Sequence, residues 1–267
     1  MTPDALHAAM EALLRRVAET AILPHYRTLT ADQIVEKAHD DLVTVADREA
    51  EAMLAEGLSR MVPGLPIVGE EAAHADPSVL ERLEGDCWIV DPIDGTHNFA
   101  HGRPPFGILI AMASGGEAHT GWIYDVLSQR LCTAHRGMGA FVNGERVTAR
   151  GAGEARPVAA ISTMFMDADE RARVVAHVAP HYRLVDVPRC AAEQYPRLAL
   201  GRNDVSIFNR TFAWDHAAGV LWLNEAGGKA ARPDGAAYRV DEPDRTGLLG
   251  AASPALWDDL AERYARL

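Results

Sequence analysis

Residues 88–102 read WIVDPIDGTHNFAHG, an apolar run that ends on two carboxylates, Asp91 and Asp94, with only Pro92 and Ile93 between them. The short apolar stretch CWIV, from Cys87, predicts a buried strand, and Asp94-Gly95 reads as a turn. Taken alone, the two aspartates merely frame that turn. The other strand ends change the reading. LPIVGEE is a second short apolar run and closes on Glu70 and Glu71, and Asp215 follows Trp214 at the head of the helical pattern HAAGVLWLNEAGG. Carboxylates converging at strand ends repel one another unless a cation neutralises them. A hard divalent ion with oxygen ligands, Mg²⁺ first, meets that demand.

The chain has 267 residues, 48% hydrophobic and 24% charged, a composition that predicts a soluble globular protein of one large or two compact domains. A formal net charge of −12 and the lack of any Lys/Arg-rich run argue against a nucleic-acid-binding surface and against attachment to an anionic membrane. The opening MTPDALHAAMEALLRRV does not have the pattern of a secretory signal, and no window approaches the apolar length of a membrane span. Cys87, Cys132 and Cys190 are odd in number and never form a CxxC pair. This predicts a reducing, cytoplasmic setting and no structural zinc.

Along the chain, Thr2-Pro3-Asp4 is a helix start, and Leu6, Met10, Leu13, Leu14 and Val17 keep helical spacing. DLVTVAD, residues 41–47, alternates like a strand and hands over to the helical REAEAMLAEGLSRM, which places Asp47 at a strand-to-helix junction. Residues 106–147 read as all β, with Asn143-Gly144 as a hairpin turn. The weakly hydrophobic TARGAGEARP then marks a boundary, and beyond it strands and helices alternate. The expected organisation is an α+β domain over 1–150 and an α/β domain over 151–267.

GEE at 69–71, DPIDGT at 91–96, GAFVNG at 139–144 and WDHAAG at 214–219 together resemble the inositol monophosphatase family of metal-dependent phosphatases, and DLVTVAD resembles that family's early strand. The combination, in order over nearly the whole chain, is specific where each hexapeptide is not. The resemblance implies a layered αβαβα fold, a homodimer, and two to three Mg²⁺ ions. By the same carry-over, Glu70, Asp91 and the carbonyl of Ile93 hold one ion, Asp91, Asp94 and Asp215 a second, and Glu70 with Glu71 steers a third through water. Asp91 bridges. Thr96, oriented by Asp47, positions an attacking water together with Glu70. Gly95 and Thr96 N–H groups face the phosphate, and the reaction is in-line hydrolysis of a phosphate monoester without a phosphoenzyme. Sensitivity to Li⁺ is implied as well.

Blander roles compete for several residues. Asp47 alone reads as an N-cap, Lys37 as a solvated lysine, and the cysteines as small buried hydrophobes. His97 and His101 have zinc-like spacing, but Asn98, Gly102 and Pro104 argue against a regular helix there. A phosphatase with an aspartate nucleophile needs aspartates at i and i+2, which Asp91 and Asp94 do not supply. A catalytically silent binding protein on this fold is expected to have lost a ligand, and none is missing.

On the substrate side, the resemblance places Phe208 where inositol phosphatases carry a glutamate that accepts substrate hydroxyls. Phenylalanine cannot accept. Ala191 and Ala192 match the family's substrate-side alanines, with Glu193, Gln194, Arg189 and Arg210 as nearby polar candidates. Inositol 1-phosphate or a similar polyol phosphate is the expected substrate, with histidinol phosphate and fructose 1,6-bisphosphate as alternatives on the same scaffold.

Overall fold

The computed structural model describes residues 3–38 and 41–267, and the side chains of 3, 37, 38 and 41 are outside that description. Thr2 and the Lys37 side chain therefore lie outside the described residues.

The first helix, α1 (Pro3–Val17), carries Asp4 in its first turn and Arg15 and Arg16 in its last, each sign complementing the helix dipole. Met10, Leu13, Leu14 and Val17 are buried along one side. An antiparallel hairpin follows, β1 (Ile34–Ala38) and β2 (Asp41–Thr44). The strand expected over 41–47 stops at Thr44, because α2 (Val45–Met61) begins there. Thr44 Oγ1 accepts the Ala46 N–H at 3.2 Å, and Asp47 Oδ2 accepts the Thr44 N–H at 2.8 Å. This reciprocal cap places Asp47 inside the first helical turn, as the capping partner rather than the N-cap itself.

Next come β3 (Ile67–Gly69), α3 (Glu70–Ala75), β4 (Cys87–Asp94) and α4 (Thr96–Ala100). Then β5 (Gly107–Ser114), β6 (Glu117–Asp125), β7 (Arg130–His135), β8 (Gly139–Val142) and β9 (Glu145–Val147) follow as a meander. All seven form one sheet in the order β3-β4-β5-β6-β7-β8-β9, parallel between β3 and β4 and antiparallel elsewhere. Its central strands are buried on both faces. Trp88, Val90, Ile108, Ile110, Trp122 and Tyr124 pack under α1 and α2, while Ile89, Leu109, Ala111 and Ile123 face the opposite core. The period-two alternation of a strand thus serves two apolar layers, which is why these segments read as continuous apolar runs.

The second sheet comprises β10 (Val158–Ile161), β11 (Arg183–Leu184), β12 (Val205–Phe208), β13 (Lys229–Ala231) and β14 (Leu248–Ala251), in the order β11-β10-β12-β14-β13. The alternation of strands and helices suggests a parallel sheet, but β14 runs antiparallel to both β12 and β13, so the sheet is mixed. Of its helices, α5 (Ala168–Arg173) precedes β11, α6 (Ala191–Ala199) and α7 (Ala213–Glu225) lie between the sheets, and α8 (Pro254–Tyr264) covers the far face. The α7 residues from His216 to Leu223 are all buried, as expected of a helix enclosed between two layers. The layers are αβαβα, as the resemblance implied. The first sheet ends at Val147 and the second begins at Val158, with one apolar core running through α6 and α7 between them. Among the described residues, no helix is long and apolar enough to cross a membrane.

Candidate active site

Residues three apart on a regular strand point to opposite faces, so Asp91 and Asp94 converge only because β4 is irregular. Asp91 pairs with Leu109 and Asp94 with Gly107, three steps on one strand against two on the other. This bulge at Pro92-Ile93 returns both carboxylates to the same side, and Asp91 Oδ1 steadies it by accepting the Ile93 N–H at 3.0 Å. Asp215, from the first turn of α7, completes the group: one oxygen from each of Asp91, Asp94 and Asp215 lies within 4.8 Å of the others.

Burial of these carboxylates is electrostatically costly. Asp91 is fully buried, and its Oδ2 has no hydrogen-bond partner among the described residues. Burial first, and then the charges of Glu70, Asp94, Asp215 and Asp47, hold the Asp91 carboxyl well above the usual carboxylate range. Asp94 is also raised by burial, against the Cys190 thiol and the N–H groups of Ala192 and Ala191. Its Oδ2 accepts the Ala192 N–H at 2.6 Å. Such a set of hard oxygen donors, one of them orphaned, fits a divalent cation.

Thr96 opens α4 beside this group. Its hydroxyl lies 3.1 Å from Asp47 Oδ1 and 2.8 Å from the Ile93 carbonyl. A hydroxyl has one proton, so it donates to one of them and keeps a lone pair for a further donor. Burial pushes Asp47 up to about 7, against hydrogen bonds from Thr44 and Thr96. Gly95 adopts φ +86, and a Cβ there would lie 2.9 Å from the Pro105 carbonyl oxygen. The left-handed turn and that close approach, more than room for a ligand, require the glycine.

A cleft of about 160 Å³ spans the carboxylates and the substrate side, lined among others by Glu70, Asp91, Ile93, Asp94, Thr96 and Asp215. The inositol monophosphatase family profile matches residues 4–267. The chain belongs to the inositol monophosphatase family. It is a phosphoric monoester hydrolase of that family, which uses divalent metal. The inositol-1-monophosphatase of Bacillus subtilis is 32% identical over 228 residues, 84% of either chain. A Thermotoga maritima fructose-1,6-bisphosphatase/inositol-1-monophosphatase is 32% identical over 218 residues, 81% of this chain and 80% of its own. The solved structure of the extragenic suppressor protein suhB from Bartonella henselae superposes with a TM-score of 0.81 at 26% identity, over 97% of this chain and 98% of that one.

Other expected site residues of this family member fall in and out of the cleft. Gly95, Ala191, Phe208, Arg189 and Arg210 line it, and Gln194 does too. Glu71 and Glu193 are not among the lining residues. The Glu193 carboxylate is engaged by Arg130 at 2.7 Å and Arg197 at 2.9 Å. Burial alone would raise the Glu193 carboxyl, but these guanidiniums outweigh it and hold it low. The ion pairs pin the first turn of α6, whose Ala192 N–H holds Asp94. Glu193→Gln leaves the half-buried Arg130 half-compensated, and the expected loss is about 2 kcal/mol of folding stability, read by urea unfolding. Because the folded-state value is depressed, this stabilisation is present above the ordinary glutamate range and fades as pH falls through it, and the variant lacks that acid-sensitive component. A variant as stable as wild type would remove the anchoring role.

Phe208 stacks on Tyr195 at 5.4 Å and meets the edge of His216 at 5.0 Å, so its ring forms cleft wall as well as surface. Burial drives His216 down to about 3, which keeps the imidazole neutral, with Nδ1 2.7 Å from the Tyr195 hydroxyl. Arg210 lies between Phe165 and Phe212, at 4.2 and 4.9 Å from the ring centres. Phe165, Met164 and Ser162 come from the segment after β10, and no motif flagged them. Cys190 is more than packing, since its thiol contacts the Asp94 carbonyl at 3.7 Å. His97 and His101 do sit one turn apart with ring centres at 4.4 Å, yet among the described residues the only group of three or more potential ligands is Asp91, Asp94 and Asp215.

Proposed function

We propose that the chain hydrolyses small phosphate monoesters, inositol 1-phosphate and similar polyol phosphates among them, with Mg²⁺ as the working cation. The observation that carries this reading is the convergence of Asp91, Asp94 and Asp215, with one Asp91 oxygen left without a hydrogen-bond partner among the described residues. In it, Glu70, Asp91 and the Ile93 carbonyl would hold one ion, Asp91, Asp94 and Asp215 would hold a second, and Glu70 with Glu71 would hold a weaker third. When bound, the ions neutralise the phosphate oxygens, ease deprotonation of water and stabilise the leaving alkoxide. Thr96 Oγ1 accepts a hydrogen bond from the attacking water, and Asp47 keeps that hydroxyl turned correctly. Glu70, on the cleft wall, takes up the water's proton. The N–H groups of Gly95 and Thr96 face the phosphate.

The test is phosphate release by purified protein with and without Mg²⁺. Strict metal dependence supports the reading, whereas full activity in chelator excludes it.

Specificity rests on Phe208. A site that hydrogen-bonds a hydroxyl rejects analogues lacking it, because its own polar groups are left unpaired. Phe208 imposes no such penalty, so wild type is expected to accept inositol 1-phosphate, histidinol phosphate and fructose 1,6-bisphosphate within about a hundredfold in kcat/KM. Phe208→Glu is expected to raise relative preference for inositol phosphate about tenfold, and to lower stability because it breaks the stack on Tyr195. Unchanged ratios in that variant would take specificity away from this position.

We also infer a cytoplasmic homodimer. The cysteines are free and buried, with Cys87 pushed up to about 11 and Cys132 to about 12, chiefly by burial, so they are poorly suited to oxidative pairing. Light scattering on the purified protein tests the dimer.

A further inference from the structure

Glu51 lies one turn beyond Asp47 on α2, and neither motif comparison nor cleft lining picks it out. Its Oε2 accepts the Glu71 N–H and its Oε1 the Ala72 N–H, both at 2.9 Å. These amides belong to the first turn of α3, which starts at Glu70, and the residue before it, Gly69, has no side chain with which to cap them. Gly69 itself explains the arrangement. At φ −99 its backbone suits any residue, but a Cβ there would lie 2.5 Å from the Glu51 carboxyl carbon. The glycine is thus a matter of space, and the space is filled by Glu51.

We propose that Glu51 is a positioning residue that fixes the Glu70 turn against the cleft, so that Glu70 meets the metal ready-oriented. The proposal rests on the reading of Glu70 as a metal ligand. One face of α2 then governs two parts of the site: Asp47 turns the Thr96 hydroxyl, and Glu51, four residues on, holds the turn that carries Glu70. Groups that orient ligands without touching the ion typically change metal affinity or activity by about 10–100-fold when removed.

Three variants test this. Glu51→Gln offers one acceptor oxygen in place of two, Gly69→Ala displaces the carboxylate without altering it, and Glu56→Gln, on an exposed part of the same helix, is the control. Hydrogen exchange in the metal-free protein reads the amides of residues 70–72. Calorimetry with Mg²⁺ and the metal dependence of kcat read the consequence. Expected for both Glu51→Gln and Gly69→Ala are faster exchange confined to that turn and metal half-saturation raised about tenfold, with kcat largely recovered at saturating metal and the control unchanged. Unchanged exchange, or faster exchange with wild-type metal binding, overturns the proposal. Glu70→Gln separates the two ways of failing. If it too leaves metal binding intact, the Glu70 assignment falls and this proposal with it. If it impairs binding while the Glu51 and Gly69 variants do not, only Glu51 is misassigned.

Discussion

Asp91→Asn is expected to lower kcat/KM by about a thousandfold or more, with the loss in kcat rather than in KM. Asp91 sits at the centre of the carboxylate group, fully buried, and its Oδ2 lacks any partner among the described residues. Asparagine keeps the shape and removes the charge, so cation binding and transition-state neutralisation fail together. A second readout separates this from unfolding. In metal-free protein the burial and like charges that disfavour Asp91 ionisation are relieved, and the variant should melt no lower than wild type. Added Mg²⁺ should raise the melting temperature of wild type but not of the variant. Substantial Mg²⁺-dependent turnover in Asp91→Asn would sink the two-ion reading.

Thr96→Ala should cost about a hundredfold in kcat and leave metal half-saturation within about twofold of wild type. Its hydroxyl is the group held between Asp47 at 3.1 Å and the Ile93 carbonyl at 2.8 Å, and alanine removes the acceptor for water while leaving every carboxylate in place. Thr96→Ser, which restores the hydroxyl, should recover most of the rate. Asp94→Ala should lose both rate and metal affinity, since its side chain is one of the converging carboxylates. Calorimetry with Mg²⁺ distinguishes the two classes, and equal affinity loss in Thr96→Ala and Asp94→Ala would refute the division of labour.

Acids just past apolar runs or at the head of a helical pattern were legible because both are local features: Glu70, Asp91 and Asp94 carry the first signature and Asp215 the second. What makes Asp91 and Asp94 converge was not. A bulge is a relation between two strands, and nothing in DPID states how β5 is registered against it. The α2 boundary was misplaced for a different reason. DLVTVAD alternates like a strand, yet Thr44 and Asp47 stand three apart, a spacing that also serves a helix cap, and only the backbone geometry chooses. Adjacency in sequence says little about where Glu193 points. Two residues past Ala191 on a helix is about 200° around its axis, so a neighbour in sequence points away from the cleft toward Arg130. Arg210 between Phe165 and Phe212, and Glu51 against α3, join segments far apart in the chain, and no periodicity encodes such meetings.

The bulge in β4 turns the distance between Asp91 and Asp94 into a counted quantity. Deleting Pro92 would preserve every carboxylate and nearly all of the strand's apolar surface, and would leave the two aspartates two apart on a regular strand, on one face but without the bulged backbone that brings the Ile93 N–H to Asp91 Oδ1 and the Ile93 carbonyl to the Thr96 hydroxyl. Such a chain would still contain all the acids of the site and still fold around the same apolar layers, while losing the bulged backbone on which the centre is assembled. In the segment that joins the two sheets, the Ala149, Arg150 and Ala152 N–H groups are tied to Ala226, Ala199 and Asp204, but residues 153–156 after them are exposed and have no such count to keep. Tolerance to length change is therefore distributed very unevenly along this chain, and it is narrowest at a proline and an isoleucine that contribute no charge at all.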